Sequence, residues 1–160
     1  MLLIQEKKQK VAGVNQLLQA VRLRPRKLAY RLAFLDHGIR VVKSPDLLRD
    51  VIVEGLEMYP REIMLIVLQA AFIHEWAERT PENWQHVVGM LEGVFRAVPE
   101  EATKQRRYIT ARVHLGDAYA ALGRKDEARR EYDFVLRLTE ANPEQKKLAR
   151  EGLAALQKCP

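Results

Sequence analysis

Apolar residues recur at helical spacing along almost the whole chain. Ile4, Val11, Val14, Leu18 and Val21 share one face, and Leu28, Leu32, Leu35, Ile39 and Val42 share another. No stretch alternates with period two for long enough to argue a strand. Prolines stand between the periodic stretches, at 25, 45, 60, 81, 99 and 143. Ser44-Pro45-Asp46, Thr80-Pro81-Glu82 and Asn142-Pro143-Glu144 each read as an N-cap, a proline at the first helical position and an acid in the first turn. Gly123 stands where a helix end wants a left-handed residue. The pattern predicts an all-α chain of eight helices, at 2–22, 26–43, 45–58, 61–79, 81–98, 100–122, 124–140 and 143–157. Short loops make neighbouring helices antiparallel.

Residues 109–142 carry a more specific signal. Leu115-Gly116, Tyr119, Ala128 and Tyr132 are spaced around the turn Leu122-Gly123-Arg124-Lys125-Asp126. Gly116 and Ala128 are small where two helices would cross closely, and Leu115, Tyr119 and Tyr132 would fill the space around them. This stretch resembles a tetratricopeptide (TPR) repeat. It departs from that pattern at Arg112, where a large residue is usual, and at Glu140, in place of the closing proline. One hairpin cannot bury its own apolar face, so neighbours are expected. The same frame counted back from Pro60 places Leu32, Leu35, Ile39, Leu48, Ile52 and Gly55 on packing positions of a repeat at 29–62. Counted back from Pro99 it places Trp84, Val87, Leu91 and Val94 in a repeat at 68–101. A two-residue insertion at 80–83 brings Phe72 and Trp76 into that frame. The resemblance implies a short right-handed α-solenoid in one domain. A basic N-terminal segment (1–28) precedes the repeats, and a capping helix at 143–157 follows them. The cap turns Leu148, Gly152, Leu153 and Leu156 inward and Gln145, Lys147, Arg150 and Glu151 outward.

Charge adds a second feature. The chain carries +6, unevenly placed. Residues 1–43 hold ten Lys and Arg against Glu6 and Asp36, a net of +8. Arg22, Arg24, Arg26 and Lys27 crowd one turn. A basic end attracts acidic partners, whether an acidic protein or nucleic-acid phosphates, or it is a solvated helix face. Tyr30 is the one aromatic residue nearby, which is thin support for base stacking.

Catalytic equipment is not in view. There is no glycine-rich phosphate loop and no Gly-x-Ser-x-Gly elbow. Ser44 is the single serine and reads as a cap. Cys159 is the single cysteine, so no internal disulfide forms and a cytoplasmic setting is expected. His74-Glu75 begins like a zinc motif, but Glu78 stands where the second histidine belongs. No cofactor or metal is expected. The start, Met1-Leu2-Leu3-Ile4, runs straight into Glu6, Lys7 and Lys8, unlike a secretory signal. The apolar run from Ile63 to Ile73 is too short to span a membrane. Trp76, Trp84, Phe72 and Phe95, with Met58, Met64 and Met90, read as core.

The resemblance implies an adaptor that is not an enzyme. In TPR proteins the first helix of each hairpin lines a concave groove that takes a partner peptide or helix. Carried over, the groove positions are Tyr30, His37 and Arg40, then His74 and Glu78, then Thr110, Val113, Asp117 and Ala120. His37, His74 and Asp117 fall on one slot, which leaves a metal site as a further, weaker reading beside the adaptor and the nucleic-acid readings. Short solenoids leave apolar edges, so a homodimer stays open.

Overall fold

The computed structural model describes the backbone of residues 2–158 and the side chains of residues 8–157. The side chain of Ile4 and all of Cys159 lie outside the described residues. Among the described residues there are nine helices and no strand: α1 (Leu2–Leu23), α2 (Leu28–Gly38), α3 (Pro45–Met58), α4 (Ile63–Trp76), α5 (Pro81–Ala97), α6 (Glu101–Lys104), α7 (Arg106–Ala121), α8 (Lys125–Arg137) and α9 (Pro143–Lys158).

The start and stop signals act as their chemistry dictates. Ser44 Oγ accepts from Leu47 N and Thr80 Oγ1 from Asn83 N, with proline following each cap. Asn142 and Gln145 form a reciprocal capping box: Asn142 Oδ1 accepts from Gln145 N, and Gln145 Oε1 accepts from Asn142 N. Gly123 has φ +75°. Gly123 N donates to Ala120 O and Arg124 N to Tyr119 O, a Schellman ending. Several boundaries differ from expectation: α4 and α8 each end three residues early, and two others differ more. α2 stops at Gly38, five residues early. Glycine there, then β-branched Ile39, Val41 and Val42, weakens the helix, and Val41 N and Val42 N both turn back to Gly38 O. The helix expected over 100–122 breaks at Gln105, whose backbone is extended (φ −87°, ψ 130°). Thr103 Oγ1 donates to Glu100 O at 2.8 Å, a back-bond that bends helices.

The chain divides into two compact units, Met1–Trp76 and Ala77–Pro160, where the sequence reading ran one domain. The two helices expected to pair within 68–101, α4 and α5, fall on opposite sides of that division. In the first unit α1 packs on α2, α2 on α3 and α4, and α3 on α4. Phe34, Leu35, Leu48 and Leu65 are fully buried there. In the second unit α5 and α6 pack on α7, and α7, α8 and α9 pack on one another. Val87, Leu91, Ile109 and Val135 are fully buried there. Two residues expected as core are not: Met58 and Trp76 are each 37% exposed.

Each unit has one long side chain laid against glycine. In the second, the Tyr132 ring sits so close to Gly116 of α7 and Gly152 of α9 that a Cβ on either would stand 2.6 Å or 2.4 Å from it. Arg112, in place of the large residue of the repeat pattern, is flat and large in its own way. Its guanidinium lies 4.2 Å from the Phe95 ring centroid and 4.1 Å from that of Phe134, and it donates to Glu131 at 2.8 Å. In the first unit Arg31 of α2 is fully buried, and a Cβ on Gly55 of α3 would meet its Cδ at 2.7 Å. Arg31, one of the ten Lys and Arg of residues 1–43, is therefore a core residue.

Gly→Ala inside an ordinary helix stabilises by up to about 1 kcal/mol. At Gly116 or Gly152 the sign reverses, because the added methyl drives into a closed ring, and urea unfolding should show a loss of about 1–3 kcal/mol. Combining Gly152→Ala with Tyr132→Leu should cost less than the sum of the two. Additive losses would mean that the ring does not set the cost.

Candidate functional site

The groove residues expected on α7 are taken up by their own unit. Val113 is 2% exposed and belongs to the core, which corrects its placement in a groove. Thr110 Oγ1 accepts from Gln145 Nε2 at 2.9 Å, and Gln145 also donates to Arg106 O at 2.7 Å. Gln145 was expected to face outward on the cap, yet it is 3% exposed. Its amide caps its own helix and ties α9 to α7, two needs that burial satisfies together. Asp117 Oδ1 accepts from the Tyr132 hydroxyl at 2.6 Å. Ala120 is half-buried. At Arg106 and Thr110 α7 is thus covered by α9, while Asp117 is held by Tyr132 of α8.

The first unit is more open. Tyr30 is half-buried, and His37 and Arg40 are exposed at and just beyond the end of α2. His74 is half-buried near the end of α4. Trp76 Nε1 donates to Ile39 O at 2.9 Å, which fastens the end of α4 beside the end of α2. Glu78 was expected on the same helix as His74. It lies beyond Trp76, where α4 has ended, and its carbonyl accepts from Asn83 Nδ2. Glu78 therefore drops out of that face. Among the described residues no group of three or more His, Cys, Asp and Glu could hold a metal ion, and His37, His74 and Asp117 do not form such a group. No helix among the described residues is long and apolar enough to cross a membrane.

The basic turn is exposed at Arg22, Arg24, Arg26 and Lys27. Its backbone is fixed from behind. Tyr59 donates its hydroxyl to Arg26 O at 2.6 Å, and Arg31 Nη2 donates to Pro25 O at 3.3 Å. Arg31 Nη1 donates to Val51 O at 2.6 Å, and both terminal nitrogens stand 3.4 Å from Glu54 Oε2. A buried arginine thus clamps a loop of exposed ones. The sequence carried no signal for this, because arginine next to the basic turn looks like more of the same charge.

Two phenols in the second unit titrate abnormally. Burial, the charge of Asp117 and the bond to it raise Tyr132 well above the ordinary range. Burial and the 2.6 Å bond to Glu92 raise Tyr119 likewise, against the opposing charge of Arg124 stacked 4.4 Å from its ring. Below about pH 10 both phenols are neutral in folded and unfolded chains alike. Above it the unfolded chain ionises while the folded phenols stay protonated, so stability falls as pH rises. Chemical unfolding between about pH 9 and 11 should show this fall, and Tyr119→Phe with Tyr132→Phe should flatten it. An unchanged slope would contradict the assignment. In the first unit, Arg31→Met keeps the stem against Gly55 but removes the side-chain donors to Val51 O and Pro25 O. Its expected cost is about 1–3 kcal/mol in urea unfolding, whereas Glu54→Gln, at an exposed carboxylate, costs under about 1 kcal/mol.

Comparison of the chain with protein-family models, with curated proteins and with solved structures finds no match.

Proposed function

We propose that the chain is a protein-binding module of tetratricopeptide kind, an adaptor rather than an enzyme, which holds a segment of a partner protein at the joined ends of α2 and α4. Packing order supports the repeat reading. In the first unit α2 packs on α3 and α4, and α3 on α4. In the second, α7 packs on α8 and α9, and α8 on α9. Within each of these two triplets every helix meets the other two, as a helical hairpin and the first helix after it do in repeat proteins. The residue types at 109–142 fit the same reading. Tyr132 and Ala128 are buried where the repeat pattern wants a large and a small group, and Arg112 between two rings supplies the bulk of the missing aromatic.

The observation that carries the binding site is a contrast between the two units. The α7 face is covered by α9 through Gln145. At the ends of α2 and α4, His37 and Arg40 remain exposed beside half-buried Tyr30 and His74, on a backbone fastened by Trp76. A cation, imidazoles and a phenol suit a segment that offers carboxylates or carbonyl acceptors. A cytoplasmic setting goes with this reading.

Site-specific photo-crosslinking in cells tests it. A crosslinker at position 37 or 40 should trap another polypeptide, whereas one at Arg150 on α9 should not. Trapping of nucleic acid, with adducts from Arg24 or Arg26 and none from 37 or 40, would overturn the reading and favour a nucleic-acid-associated protein.

A further inference from the structure

The α1–α2 turn and the outer face of α3 are two unused surfaces of the first unit, and each offers what the other lacks. Arg22, Arg24, Arg26 and Lys27 make no ion pair among the described residues, and no acid stands between them. Leu23, in their midst, is 82% exposed. On α3, Asp46, Asp50 and Glu54 follow one another at i, i+4 and i+8, with Glu57 a turn beyond Val53 on the same face. Arg49 is the one cation there; it lies 3.0 Å from Asp46 and 3.6 Å from Asp50. Val53 and Met58 are 46% and 37% exposed in this acidic setting. The two surfaces adjoin, because Arg31 bonds both Pro25 O in the turn and Glu54 on α3, and Tyr59, just past α3, bonds Arg26 O.

We propose that the first unit pairs with a second copy of this chain, the basic turn of each copy lying on the acidic face of α3 in the other. Adjoining patches of opposite sign are self-complementary about a two-fold axis, since each copy gives and receives the same contact. Leu23 of one copy then covers the exposed Val53 and Met58 of the other, so apolar burial accompanies the charge pairing. A polyanion such as nucleic acid or an anionic membrane would meet the turn's cations but also the carboxylates beside them, and the turn presents no aromatic ring for stacking. A partner bearing both signs fits better, and this chain is one. The pairing uses none of the residues of the site at His37 and Arg40. The 11 residues of α2 place the basic turn about 16 Å from that site along the helix, so loss of the turn's cations leaves that site in place.

The test is sedimentation equilibrium of the full chain with charge-swapped variants. The native chain should dimerise below roughly 100 μM at about 0.05 M salt and dissociate at about 0.5 M. Arg24→Glu with Arg26→Glu should leave a monomer, because acidic turns then face acidic helices. Asp50→Lys with Glu57→Lys should do the same with basic surfaces. An equimolar mixture of the two variants should form a heterodimer, since both contacts are again opposite in sign. All four positions are exposed, and circular dichroism checks that each variant keeps its helices. A native chain that stays monomeric at low salt, a dimer indifferent to salt, or variants that fail to pair when mixed would each overturn the proposal. The first of these would free the turn for a foreign acidic protein or a nucleic acid.

Discussion

Each unit closes on a long side chain that reaches a facing helix where no Cβ stands in the way. In the second unit that side chain is Tyr132, in touch with Gly116 of α7 and Gly152 of α9. Its hydroxyl ends on Asp117, so the ring is fixed along its length as well as across its faces. One residue of α8 therefore sets the distance to both neighbours. In the first unit the reaching residue is Arg31 and the gap is Gly55. Here the end group is charged, and it takes the carbonyls of Val51 and Pro25 with the Glu54 carboxylate. Burying an arginine is costly unless its donors are met, and these acceptors meet its terminal nitrogens.

Much of this was legible in the sequence. Period 3.6, three capped prolines and one left-handed glycine place the helices, because these signals are local and need no tertiary contact. Gly116, Ala128 and Tyr132 could be read as a packed crossing, since size alone says which residues admit close approach. Residues whose role depends on a distant partner were not legible. Arg31 and Gln145 look like surface residues by type, and each is buried with its donors on backbone carbonyls distant in the chain. The break at Gln105 has no glycine or proline to announce it. Val113 and Thr110 were assigned to a groove on the assumption that the inner face of α7 is bare, and helix spacing cannot say whether a later helix returns to cover it.

That covering shapes the functional account. α9 buries modest apolar surface: Ala149 and Leu156 are buried, while Leu148 and Leu153 are half-buried. Burying one leucine is worth about 1.5–3 kcal/mol, and a net hydrogen bond about 1 kcal/mol. The two bonds from Gln145 and the contact of Tyr132 with Gly152 are thus of the same order as the helix's apolar contribution. With them, α9 is held against α7 at Arg106 and Thr110. Without them, Thr110 Oγ1 and the end of α7 at Arg106 would lose their contact with α9.

Native-state hydrogen exchange tests this most directly, because it reads whether α9 opens alone. If the ring of Tyr132 joins the three helices, amides in the middle of α9 exchange with those of α7 and α8, within about tenfold, or 1.4 kcal/mol. Exchange of the α9 amides about a thousandfold faster than those of α7 would contradict the account, for it would show a helix that leaves its neighbours and uncovers the face of α7.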